Sequence, residues 1–116
     1  MVEHRRSRRK KAQQAIPVTN SINSETIGYI GNLSVDGMLL IANRALPDNA
    51  LFQFNFELPR HAGAAARRIE IGVHEQWSEA ANIPGQFWAG FRIIDIDPQD
   101  RVALGAWVNA QEDQMA

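Results

Sequence analysis

Along most of this chain apolar and polar residues alternate, and the alternation predicts strands. The cleanest case is 52 to 58, where Phe52, Phe54, Phe56 and Leu58 are interleaved with Gln53, Asn55 and Glu57. Such a period of two gives one buried and one wetted face. Ala15 to Asn20 reads as a first strand, with Pro17 placing it at an edge or a bulge. Thr26 to Ser34 comes next, with Ile27, Tyr29 and Leu33 expected on one face, and then a short strand from Met38 to Ala42. Arg68 to Trp77 alternates again, with Ile69, Ile71 and Val73 inward and Arg68, Glu70 and His74 outward. Gln86 to Asp95 places Phe87, Ala89, Phe91 and Ile93 on one side and Trp88, Gly90 and Arg92 on the other.

Turn chemistry separates these runs. Asn23-Ser24-Glu25, Pro47-Asp48-Asn49, Pro59 to Ala66, and Ser78 to Gly85 with its Asn82-Ile83-Pro84-Gly85 read as connections. Six short alternating strands imply an antiparallel barrel or sandwich, and closure into a barrel would remove exposed edges. The period then changes. Asp97-Pro98-Gln99-Asp100 offers an N-cap, a proline at the first helical position and an acid in the first turn. Leu104, Trp107 and Val108 supply an apolar stripe, although Gly105 weakens the helix by about 1 kcal/mol relative to Ala. The fold expected is mainly β: a six-stranded antiparallel barrel with a C-terminal helix.

Charge adds a division that alternation does not show. The formal net charge of −1 conceals residues 1 to 11, with six Arg or Lys against Glu3, and residues 12 to 116, with six against twelve Asp or Glu. A basic arm, expected to be flexible and to pack against nothing, is joined to an acidic body at 12 to 110, with 111 to 116 a frayed tail. At 116 residues the chain is one domain, large enough for a core without staples. With no cysteine, thiol catalysis, cysteine-ligated zinc and disulfides are excluded. No apolar run is long enough for a membrane span or a leader, so the expected location is cytoplasmic. His4, His61 and His74 lack ligand spacing, Glu70 and Glu75 form no visible acid and base pair, and no nucleophile triad or phosphate-cradling loop occurs. Neither a metal site, nor a cofactor, nor an enzyme is expected.

Candidate chemistry lies in Gly31-Asn32-Leu33-Ser34-Val35-Asp36-Gly37. In an extended chain Asn32 and Ser34 share a face, expected to meet solvent, while Leu33 enters the core. Gly37 permits either φ > 0 or a close approach to its backbone. Taken alone, Asn-x-Ser-x-x-Gly is ordinary turn chemistry. About twenty residues earlier, Arg5-Arg6-Ser7-Arg8-Arg9 contains an Arg-x-x-x-Arg pair, Arg5 and Arg9.

These two elements, in this order and spacing, resemble the signatures of the PilZ family, receptors for the second messenger cyclic di-GMP. The resemblance implies a six-stranded barrel with a C-terminal helix, and cyclic di-GMP as ligand. It implies that Arg5 and Arg9 hold phosphate oxygens and the guanine O6/N7 edge, and that Asn32, Ser34 and the Gly37 backbone read a guanine from the barrel. Arg6 with Lys10 also satisfies the spacing, but Lys lacks the planar fork of Arg, so Arg5 and Arg9 are preferred. Trp77 or Trp88 could offer a stacking surface, against the plainer reading of rim packing. The implied output is a changed contact with a partner protein as the arm folds over the ligand. Two other readings stand beside it. One is a PilZ-fold module that binds only protein, which loss of signature residues would favour. The other is a small nucleic-acid-binding barrel, which the acidic body opposes.

Overall fold

A computed structural model describes residues 8–61 and 63–110. Its elements are β1 (Lys10–Lys11), β2 (Pro17–Asn20), β3 (Glu25–Leu33), β4 (Gly37–Ala42), β5 (Leu51–Leu58), β6 (Arg67–Ala80), β7 (Phe87–Ile96) and α1 (Pro98–Asn109). Antiparallel pairing runs β3-β2-β5-β6-β7-β4, and β3 also pairs with β4, so six strands close into a barrel. The expected strands and helix are all present. β6 is longer than alternation predicts: Ser78 to Ala80 continue the strand against Phe87, Trp88 and Ala89 rather than forming a loop.

The barrel interior is filled by the inward residues of its strands. Phe54, Phe56, Leu58, Ile69, Ile71, Val73, Leu40 and Ala89 are buried, with Phe52, Phe54 and Phe91 in mutual ring contact. Asp97 caps α1 by accepting from the Gln99 N–H at 2.8 Å, with Pro98 beginning the helix. Leu104, Trp107 and Val108 then bury the helix's apolar stripe in the core. The inward place of Glu75 is also taken by a buried side chain, whose Oε1 accepts the Asn49 N–H at 2.6 Å. That bond steadies Asn49, which has φ of 61°.

Two expectations fail, each for a physical reason. β3 does not bury Ile27, Tyr29 and Leu33; it buries Ile27, Ile30 and Leu33, and Tyr29 is exposed. The pairing with β2 shifts register where Val18 and Thr19 meet Gly28 and Thr26, and the pairing with β4 shifts between Ile30 and Asn32. Each extra residue inverts the facing of the residues after it, a property of β-bulges that strict alternation cannot foresee. The second failure concerns the described end of the arm, expected to pack against nothing; residues 1–7 lie outside the described residues. Lys10 and Lys11 form β1 on the edge of β3, opposite Leu33 and Asn32, and the Ala12 N–H donates to the Gly31 carbonyl at 3.1 Å. Lys10 turns inward, its Nζ donating to the Trp107 carbonyl at 3.0 Å and lying 4.5 Å from that ring's centroid. The basic segment from Arg9 onward therefore packs against the barrel and the end of α1.

β3 and β4 approach so closely at Gly28 that a Cβ there would stand 2.2 Å from the Ile41 carbonyl oxygen. Gly28→Ala should lower stability by about 1–3 kcal/mol, read from a urea midpoint, because a backbone atom must move. Gly105→Ala, whose Cβ would meet only Val35 Cγ1 at 3.6 Å, should instead raise it by about 0.5–1 kcal/mol. Lys10→Met keeps the apolar stem and removes the charge, so a loss of about 1 kcal/mol in the same measurement is expected.

Candidate functional site

The turn from β3 into β4 is built around one hydroxyl. Ser34 Oγ accepts the Asp36 N–H at 3.1 Å and the Gly37 N–H at 3.0 Å, and the Ser34 N–H donates to the Gly37 carbonyl at 2.9 Å. Ser34 is only 2% exposed. The expected solvent-facing Ser34 is thus corrected: at the strand end its side chain folds into the turn and satisfies backbone donors that would otherwise be stranded. The Gly37 backbone is likewise engaged rather than open, and its φ is not positive. Glycine is required there for close approach, since a Cβ would lie 2.8 Å from the Phe91 carbonyl oxygen.

Asn32 does face outward, opposite Leu39, while Leu33 is fully buried opposite Met38. The two sequence signatures meet at this point. Arg9 Nη1 donates to Asn32 Oδ1 at 2.7 Å, and Arg9 Nη2 stands 3.5 Å from where a Gly37 Cβ would be. Lys10, in the other register, points to Trp107 instead. Arg5 and Arg6 lie outside the described residues, as does the tail from 111. Among the described residues the arm contributes Arg8, Arg9 and Lys11 to the outer surface, Lys11 being the β-partner of Asn32.

Three further features are not legible in the motifs. Arg101 of α1 reaches the same turn, at 3.5 Å from Asp36 Oδ1 and 3.5 Å from the Val35 carbonyl. Arg92 of β7 is the register partner of Gly37 and is exposed. Leu39 lies between Asn32 and Gly90, and Trp77 covers Gly90, so that one row runs Asn32, Leu39, Gly90, Trp77 across four strands. An added Cβ at Gly90 would sit 2.4 Å from the Trp77 indole nitrogen. Trp77 is 46% exposed and separated from Asn32 by that row. Trp88 lies beside Gly31, its ring 3.4 Å from where a Cβ would stand. Long-range register places these residues, and the sequence shows only their outward alternation.

The local field is therefore positive: Arg9, Lys11, Arg92 and Arg101 surround a turn whose one carboxylate is Asp36. Such a surface can hold a phosphodiester, while the Asn32 amide offers donors and an acceptor to a base edge. Nearby, His61 is held below its ordinary pKa first by burial and then by the charge of Lys10. Among the described residues no three His, Asp or Glu gather in a metal-binding group, and no helix is long and apolar enough to cross a membrane.

Comparison with known proteins bears on the fold and the family. No curated protein sequence matches the chain. Among solved structures, the Bacillus subtilis inhibitor of motility, MotI/DgrA, superposes with a TM-score of 0.72 at 14% identity, over 92% of this chain and 50% of that one. This chain thus spans about half that protein's length. The PilZ domain of YcgR from Escherichia coli, solved with c-di-GMP, superposes with a TM-score of 0.60 at 15% identity, over 88% of this chain and 86% of that one. At these identities the likeness establishes the fold. The sequence profile of the PilZ domain matches residues 3–110, from the basic arm through α1, and the chain belongs to the PilZ domain family.

Proposed function

We propose that this chain is a cyclic di-GMP receptor and adaptor whose arm rearranges over the ligand and thereby alters contact with a partner protein. PilZ domains are ligand-binding modules rather than enzymes, and YcgR's PilZ domain was solved with this dinucleotide. The observation that carries the reading is the hydrogen bond from Arg9 to Asn32, because it joins the arm signature to the barrel signature in one place. Arg9, with Arg5 before it, supplies guanidinium forks for phosphate and for the guanine O6/N7 edge. Asn32 reads a base from the barrel, and Ser34 acts by holding the turn that presents it. Trp77 gives an apolar surface on which a second base can stack, at the far end of the Asn32 row.

Energetics require both halves. Micromolar affinity needs about −8 kcal/mol net, and each charged hydrogen bond returns about 1.5–3 kcal/mol. Because Lys10 and Lys11 are already paired with β3, part of the ordering cost of the arm is met in folding, leaving more of the contact energy for the ligand.

Calorimetric titration with cyclic di-GMP, with GTP and a short single-stranded oligonucleotide as controls, tests the reading. Arg9→Ala should weaken binding at least tenfold, about 1.4 kcal/mol. Asn32→Ala should weaken binding with little change in the thermal midpoint. Ser34→Ala should lower both, costing about 1–3 kcal/mol of stability as two N–H groups lose their acceptor. Unaltered affinity in both Arg9→Ala and Asn32→Ala would overturn the site.

Salt separates this ligand from a polymer. With two phosphates and no polyion atmosphere, cyclic di-GMP should lose affinity gently, whereas an oligonucleotide should show a log–log slope of about −0.7 per neutralised phosphate. Strong oligonucleotide binding at physiological salt, without heat from cyclic di-GMP, would favour the nucleic-acid reading instead.

A further inference from the structure

β4 and β7 are in register such that Gly37 and Arg92 stand directly opposite each other. Opposed residues have neighbouring Cβ positions, about 4.5–5.5 Å apart. Here one of the two has no side chain, so the Arg92 stem borders bare backbone. Arg9 approaches that same bare position from the other side, with Nη2 at 3.5 Å. Two guanidinium side chains, one from the arm and one from β7, thus flank a single glycine.

The surroundings of Arg92 leave its charge available. Its partner on the other edge, His74, has its ring nitrogens in contact with Asn49 Oδ1 and Gln76 Nε2. Asp36, the nearest carboxylate along the chain from Gly37, lies within ion-pair distance of Arg101. Arg44, Arg67 and Arg68 are engaged by Glu25, Asp100 and Asn55. Arg92 is exposed and makes no hydrogen bond or ion pair among the described residues. Burying an anion between two such cations relieves their mutual repulsion, and an Arg fork can donate two parallel bonds to a phosphate.

We propose that Arg92 is a phosphate-binding residue of the dinucleotide site, a contact that neither sequence signature contains. It rests on the cyclic di-GMP reading above and deepens it. The ligand is gripped from two directions, by Arg9 from the β1 and β3 side and by Arg92 from β7, on either side of the position where Gly37 carries no side chain. A ligand with two phosphodiesters fits this arrangement better than a mononucleotide.

The test is calorimetry on the full chain with cyclic di-GMP, its linear form pGpG, and GMP. Arg92→Gln should weaken cyclic di-GMP binding about tenfold or more, with GMP binding much less affected, and leave the thermal midpoint unchanged because the side chain is exposed. Arg92→Lys should retain more affinity than Arg92→Gln, since charge is kept and only the fork is lost. Arg60→Gln, at an exposed loop position elsewhere, is the control and should bind as the parent does. If the parent binds and Arg92→Gln binds within twofold of it, the Arg92 assignment falls while the receptor reading stands. A Lys variant no better than the Gln variant overturns the phosphate role. If the parent itself gives no heat with any of the three, the receptor reading fails and takes this assignment with it.

Discussion

The structure depends on how β3 keeps its core residues facing inward. A regular strand inverts its face at every residue, so positions three apart cannot share a side. Ile27, Ile30 and Leu33 do share one, because the ladder slips once against β2 and once against β4. The second slip falls at Gly31, and it is what sends Asn32 outward while Leu33 remains buried. Without it, the amide of Asn32 would turn toward an apolar interior, where an unpaired polar group is costly. A packing requirement and the outward placement of the Asn32 amide are thus met by a single irregularity.

The same alternation divides the two residues of β1 by surroundings. Lys10 and Lys11 pair with Leu33 and Asn32, so the inward lysine finds Trp107 and the outward residues remain with the polar surface. Lys10 places a cation against a carbonyl at the end of α1, where the helix dipole favours positive charge. The described end of the arm is consequently tied to the barrel by backbone pairing and to the helix by charge. Its exposed cations are set against β3 at a defined distance from the turn.

Strands such as Phe52 to Leu58 and Ile69 to Val73 are legible in the sequence because they bury one face each along the unbroken ladder that pairs them with one another, which makes period two sufficient. The helix is legible from Asp97, Pro98 and the spacing of Leu104, Trp107 and Val108. Alternation misplaces Tyr29 because bulges leave no local mark beyond glycines that have several uses. Ser78 to Ala80 resemble a loop by composition, yet a hairpin arm beside Phe87 and Trp88 needs no apolar residues on its outer face. The motif puts Ser34 one residue past the end of its strand and in the wrong environment: composition cannot tell a hydroxyl offered to solvent from one consumed by the turn it stabilises. Arg92 and Arg101 are invisible as site residues in the sequence, since their place beside Gly37 and Asp36 comes from which strands and helix meet.

If the proposed site is right, the bond between Arg9 and Asn32 bears on discrimination among anions. Any ligand that recruits the guanidinium of Arg9 away from this contact also strips Asn32 of its partner. Inorganic phosphate or a simple sugar phosphate would take the first and offer nothing to the second, so the exchange would forfeit much of what it gained. A guanine nucleotide can satisfy both, because its base edge carries donors and acceptors suited to an amide. On the proposed reading, the protein's own hydrogen bond is an internal competitor, and a molecule joining phosphate to base is best equipped to replace it.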